Sequence, residues 1–83
     1  MDEDVKKEIE AVEAEMAGFI KEKAVAEARV REFRDKEDVK GGVTFHQEIF
    51  KAQQDKLRLD VEIQFRKNKI NRLKLSDENR GVS

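Results

Sequence analysis

His46 is the only histidine in the sequence, so metal or acid–base chemistry would begin there. A helical metal site needs a second ligand three or four residues away, but those positions hold Ile49 and Phe50. Residues 35–38 supply only nearby carboxylates. The chain contains no cysteine, and no nucleophile, base and orienting group recur at a usable spacing. We therefore expect no catalytic residues, no metal site and no cofactor, and hence a protein that is not an enzyme.

A basic run over residues 66–74 is the best candidate for binding nucleic acid. Five cations on one helix could contact phosphates: Arg66, Lys67, Lys69, Arg72 and Lys74. The alternative is that they neutralise residues 1–15, which carry seven acidic and two basic side chains. We favour neutralisation, because a hairpin brings these two segments together. Only Phe65, at the edge of the run, could stack on bases, so nucleic acid is an unfavoured partner.

Large apolar side chains also occur where a simple hairpin would expose them. On a helix, Phe50, Leu57, Val61 and Phe65 form a stripe nearly opposite the expected buried side. The first half of the chain has a candidate counterpart of smaller residues away from its own buried side: Ala17, Ile20, Ala24 and Ala28. Aligned apolar residues of this kind usually mark an interface. We predict that both sets bind a partner, either a second copy of the chain or helices of another protein.

Two long helices are predicted to position these residues. Apolar residues separated alternately by four and three positions form the seam of a coiled coil. The first series comprises Val5, Ile9, Val12, Met16, Phe19, Lys23, Ala26, Val30, Phe33 and Glu37. The second comprises Phe45, Ile49, Ala52, Lys56, Leu59, Ile63, Arg66, Ile70 and Leu73. Between them the sequence KGGVT predicts a turn, because glycine is favoured just past a helix end.

One segment allows two interpretations. KLRLDVEIQF, residues 56–65, alternates apolar and polar residues as a strand with one buried face does. A pair of strands turning at residues 66–69 would make a small α+β domain. We favour a helix, because a strand would interrupt a heptad series that otherwise runs from Phe45 to Leu73. The helix must then carry apolar residues on two sides.

Four polar residues interrupt the two seams. They are Lys23, Glu37, Lys56 and Arg66. A buried polar network serving as a switch is one hypothesis. We favour the other, in which their stems cover the seam while their charged ends reach water and specify register.

The composition supports an all-α, antiparallel two-helix coiled-coil hairpin that we expect to assemble into a four-helix bundle. Charged residues form 45% of the 83, and the net charge is −1; dense, balanced charge is typical of long helices. The expected domain spans residues 1–75, with helices at about 3–39 and 45–75, a turn at 40–44 and a flexible tail at 76–83. No apolar run could span a bilayer, so an intracellular, cytoplasmic location is the default expectation. The expected function is a scaffold or adaptor module for oligomerisation or docking; the alternative is a regulatory hairpin dimer that binds nucleic acid through residues 66–74.

Overall fold

A computed structural model shows two antiparallel helices lying side by side. The structure describes residues 2–38 and 40–80, the last two by their backbone alone. Helix α1 spans Glu3–Lys36 and helix α2 spans His46–Arg80. The helices make up 88% of the described residues, which contain no strand, and the hairpin measures 69 × 16 × 12 Å. The predicted all-α hairpin is confirmed.

The segment with two interpretations is helical throughout. Residues 56–65 lie within α2, and the side chains of Leu59 and Ile63 are buried while those of Leu57, Val61 and Phe65 are exposed. The alternation therefore reflects two faces of one helix. The heptad series is the stronger predictor of structure here, because it extends over the whole helix and every turn adds apolar contacts to the same seam, whereas the alternation covers only ten residues.

The core is formed by the two predicted seams. The buried hydrophobic residues are Ile9, Val12, Ala26, Val30, Ala52, Leu59, Ile63 and Ile70, and each belongs to one of the two series. At the open end, Ile9, Val12 and Ile70 cluster with Val5, Met16 and Leu73 packed around them. Near the turn, the rings of Phe33 and Phe45 lie with centroids 5.3 Å apart. Burial of this apolar strip is what holds the helices together.

Charged seam residues join the helices at the rim of this strip. Lys23 Nζ lies 2.5 Å from Asp60 Oδ1, and Lys56 Nζ lies 3.7 Å from Glu27 Oε1. The hydrogen bond to Asp60 raises the pKa of Lys23 above its ordinary value of 10.5. A raised lysine pKa stabilises the fold below the ordinary value, and that stability is lost only as the pH rises through the raised one. The pair is therefore constant through neutral pH, and it fixes register more than it stabilises.

Helix α1 begins at a capped and acidic end. The Asp2 carboxylate accepts a hydrogen bond of 2.8 Å from the backbone N–H of Asp4. Glu3 and Asp4 occupy the first turn, while Arg34 and Lys36 occupy the last turn. This charge order matches the positive and negative ends of the helix dipole.

The turn differs from its prediction in where helix α1 ends. Helix α1 ends at Lys36 rather than near 39, because Asp38 and Val43 form an antiparallel bridge with N···O distances of 2.9 and 2.8 Å. Extended backbone at the bridge cannot continue the helix. Gly42, at φ 74°, adopts the left-handed conformation at the tip, and a Cβ on Gly41 would lie 2.7 Å from Asp38 Oδ2. The turn thus requires glycine at position 42, whereas a side chain at position 41 would displace the Asp38 carboxylate, which accepts a hydrogen bond from the Gly41 N–H.

The end of α2 also differs from its prediction. Residues 76–80 of the predicted flexible tail continue the helix, whereas residues 81–83 lie outside the described part of the chain. The backbone N–H of Asp2 donates a hydrogen bond of 3.1 Å to Asp77 Oδ1, so the last turns of α2 lie beside the start of α1. The heptad pattern did not predict this extension, because the next position in the series after Leu73 is Asp77, which is not apolar.

Replacing Gly42 with alanine tests the turn. An L side chain in the left-handed conformation costs about 1–2 kcal/mol, so we expect Gly42→Ala to lower the free energy of unfolding by that amount. Urea denaturation measures the change. Lys40→Ala, a substitution in the same turn with no such requirement, is the control. Equal stability of the two variants would contradict the observed geometry.

Candidate docking surface

The predicted apolar stripe of α2 lies exposed on the side of the helix that faces away from α1. Phe50, Leu57, Val61 and Phe65 keep 61%, 65%, 53% and 60% of their surface accessible. At about 100° per residue, these positions lie nearly opposite the buried seam of Ala52, Leu59 and Ile63. Four large apolar side chains thus line one edge of the hairpin.

A second heptad series on α2 shows how far this surface extends. Starting at Gln47, positions separated by three and four residues carry no charged side chain, and all are exposed. We call them the outer face of α2: Gln47, Phe50, Gln54, Leu57, Val61, Gln64, Asn68, Asn71 and Leu75. Phe65 flanks it. The Gln64 side-chain amide donates a hydrogen bond of 3.0 Å to Asn68 Oδ1 along this face. In a chain of which 45% is charged, a charge-free line this long is a distinct surface.

An apolar pattern does not include the amides, and Leu75 lies ten residues beyond Phe65, the last residue of the predicted stripe. The signal that could have found them is an absence of charge at heptad spacing. Leu75 is 57% exposed and extends the apolar line toward the end of α2. Amides at such positions permit helix packing while specifying partner and register.

The small residues predicted on α1 do not join this surface. Ala17, Ala24 and Ala28 are exposed on the outer face of α1, which lies nearly opposite its own buried seam. Since the two seams face each other, the outer faces of α1 and α2 form opposite edges of the hairpin. Ile20, 48% exposed, lines a groove between the helices with Met16 and Ile70, and Ala17 borders both this groove and the outer face. The eight predicted residues therefore belong to two edges and a groove.

The two broad faces of the hairpin carry the charges. Grooves on one broad face are lined by charged residues, including Glu22, Arg29, Glu32, Lys51, Asp55 and Arg58. The grooves on the other side include Glu13, Glu27, Arg31, Arg34, Lys56, Lys67 and Lys74. A four-helix bundle built by stacking broad faces would bury many of these charges, which is costly. The bundle stays a prediction, and the charge distribution favours association through the edges.

The basic run does not form one surface. Arg66 is committed to the hairpin: its guanidinium contacts Glu62 and Glu15, the latter at 3.3 Å, and lies 4.7 Å from the centroid of Phe19. The other four cations are exposed, and no ion pair within 4.0 Å involves them in the described part of the chain. Lys67 and Lys74 line the groove beside Glu13. By helical geometry Lys69 lies on the other broad face and Arg72 beside the outer face.

His46 occupies the first turn of α2 and is exposed. Within residues 2–38 and 40–80, no group of three or more His, Asp or Glu side chains could hold a metal ion. Among the same residues, neither helix has the length and hydropathy of a membrane-crossing segment.

The fold and its surface define a class of protein: an antiparallel coiled-coil hairpin with an uncharged edge. Comparison with protein-family models, with curated proteins and with solved structures finds no match to this chain.

Proposed function

We propose that this hairpin is a structural adaptor, a coiled-coil module that docks on another helix through the outer face of α2. The observation that carries the proposal is the exposed, charge-free heptad series from Gln47 to Leu75. Hydration of large apolar side chains is unfavourable, and a partner helix covering Phe50, Leu57 and Val61 would remove that cost. Oligomerisation or attachment within a larger assembly is the function that such a surface serves.

The amides of the outer face favour selective binding of one partner over non-specific hydrophobic association. Gln54, Gln64 and Asn68 lie among the apolar residues of this face. Gln64 and Asn68 are already hydrogen-bonded to each other along the face, and an amide group left without a partner when it is buried costs about 1–3 kcal/mol. A helix in the wrong register would leave several amides unpaired. The surface therefore favours one partner in one register.

A single introduced thiol tests the docking surface, because the chain has no cysteine of its own. We expect the Val61→Cys thiol to react quickly in dilute purified protein and about tenfold more slowly or less in cells that make the protein, where the partner covers it. A tenfold decrease in the labelling rate corresponds to a free energy of about 1.4 kcal/mol for covering the thiol. Lys69→Cys, an exposed position on a broad face, is the matched control and should react equally in both settings. Equal labelling of both thiols in cells would contradict the proposal.

The alternative function is nucleic-acid binding through residues 66–74, which the exposure of Lys67, Lys69, Arg72 and Lys74 allows. Those cations diverge around the helix, and the adaptor proposal expects only weak, salt-dependent binding. We expect Lys67→Gln with Lys69→Gln to leave partner docking within about twofold, because surface charges contribute little. Fluorescence anisotropy with single-stranded and duplex oligonucleotides measures the affinity. Tight binding at physiological salt that the double variant abolishes would instead support the nucleic-acid function.

A further inference from the structure

We infer that the helix covering the outer face of α2 is the outer face of α1 in a second copy of this chain. The hairpins would then lie side by side in the same orientation, each joined edge to edge with the next. This inference rests on the proposed function and names the partner. It follows from four features of the two edges: side-chain size, height along the hairpin, a glycine, and charge.

The two edges are complementary in side-chain size. The α2 edge presents large residues at Leu57, Val61 and Phe65. The α1 edge presents small ones at Ala17 and Ala24, with Lys21 between them. Small residues let a second helix approach closely, and large residues opposite them fill the space. The Lys21 stem can cover an apolar neighbour while its ammonium reaches water.

The two edges also match in height along the hairpin axis. The ion pairs Lys23–Asp60 and Glu27–Lys56 fix the relative height of the helices. Ala24 lies between Lys23 and Glu27 in α1, and Leu57 lies between Lys56 and Asp60 in α2, so both stand within the turn that the two ion pairs bracket. Two hairpins placed side by side without an axial shift therefore set Leu57 against Ala24 of the second copy.

Gly18 supplies an observation that the isolated hairpin does not explain. It lies in the interior of α1, where glycine weakens a helix relative to alanine. An added Cβ at Gly18 would meet nothing within 4 Å, so no contact inside the described chain requires a glycine there. The ion pair Glu15–Arg66 places this part of α1 at the level of Phe65. A glycine beside Ala17 leaves room for the Phe65 ring of a second copy.

Charge favours this pairing over the pairing of two α2 edges. The flanks of the outer face of α2 are mainly basic, with Lys51 and Arg72. At matching heights α1 carries Glu32 beside its outer face and Glu10 on that face. Two α2 edges would bring like charges together, whereas an α2 edge on an α1 edge brings opposite charges together. The occupant is therefore a second copy that uses its other edge.

This contact is heterologous, because the two copies use different surfaces. Each pair leaves one α1 edge and one α2 edge free, so further copies can add until a ring closes or a filament grows. We expect the sedimentation mass of the purified chain to rise through several species as its concentration increases, rather than to stop at a dimer.

Blocking one edge at a time tests the inference. Gly18→Gln should improve the α1 helix yet obstruct the α1 edge, and Val61→Asp should disable the α2 edge. Each variant alone should stay monomeric at concentrations where the natural chain associates, with association weakened about tenfold or more. Mixed in equal amounts, they should form a dimer that grows no further, because each retains the edge that the other lacks. Glu22→Gln, a broad-face substitution on α1, is the control and should associate like the natural chain.

The possible outcomes separate the inference from the proposed function. A Gly18→Gln variant that dimerises alone would show α2 pairing with α2 and would overturn the inference. A mixture that forms no dimer would overturn it as well. A purified natural chain that stays monomeric, with the Val61→Cys thiol protected in cells, would keep the docking function and assign the edge to a different protein. If the natural chain stays monomeric and the Val61→Cys thiol is also unprotected in cells, both the inference and the proposed function are overturned.

Discussion

Leu59→Asp should unfold this protein, whereas Val61→Asp, two residues away, should leave a folded but monomeric hairpin. Leu59 is 2% exposed and lines the seam with Ala26 and Ala52. A carboxylate there has no partner and is removed from water, which costs several kcal/mol. Domains of this size have only about 5–15 kcal/mol of stability in total. We therefore expect Leu59→Asp to lose most of its helix in dilute solution.

Val61 is 53% exposed and contributes to the outer face rather than the seam. An aspartate there stays hydrated in the monomer, so the stability of the hairpin should change by less than about 1 kcal/mol. When the outer face is covered, the same carboxylate must lose its water, and association should fail. The introduced charge is identical in the two variants and their neighbours in sequence overlap, so each serves as the control for the other.

Circular dichroism on dilute samples and sedimentation at high concentration measure the two effects separately. Equal unfolding by both substitutions would indicate one shared core, as a strand with one buried face requires. A Val61→Asp protein that associates like the natural chain would show that the outer face is ordinary surface. Either result would remove the basis for the adaptor proposal.

The seam was predictable from sequence because it repeats. Each heptad adds independent support, and Leu59 and Ile63 fall in the series despite their local alternation with polar residues. The turn was less predictable, since the bridge between Asp38 and Val43 depends on backbone pairing rather than on composition. A Gly-Gly pair indicates that the chain turns but does not fix where the preceding helix stops.

The candidate surface was predictable only in part. Its four large apolar residues were identified, but its extent was missed because Gln54, Gln64 and Asn68 do not register as apolar. Which residues share an edge depends on how the helices pack. Ile20 shows this, because the same helical spacing that groups it with Ala24 places it, together with Ala17, in a groove beside Ile70. The position of the exposed stripe relative to the buried seam decides whether hairpins associate through their edges or as a four-helix bundle.

Ile70→Ala should open the free end of the hairpin. Ile70 is 7% exposed and packs with Ile9 and Val12 in the hydrophobic cluster that joins the start of α1 to the last part of α2. Truncating a buried isoleucine leaves a cavity and typically costs about 2–5 kcal/mol. Because the cluster lies at one end, that loss should appear first as local opening. Amide hydrogen exchange should accelerate in the first turns of α1 and the last turns of α2, and less near Phe33 and Phe45.

Leu75→Ala supplies the matched control, since it shortens an aliphatic side chain on the same helix at a position that is 57% exposed. In the monomer this change should alter stability by about 0.5 kcal/mol or less, with exchange rates unchanged at both ends. In concentrated protein, Leu75→Ala should weaken association, because the outer face loses an apolar residue, while Ile70→Ala should act mainly through the fold. Uniform acceleration of exchange along both helices in Ile70→Ala would show that the hairpin opens as one unit. Local acceleration would instead show that the two ends have separate stabilities, with the aromatic pair holding the turn closed while the termini part.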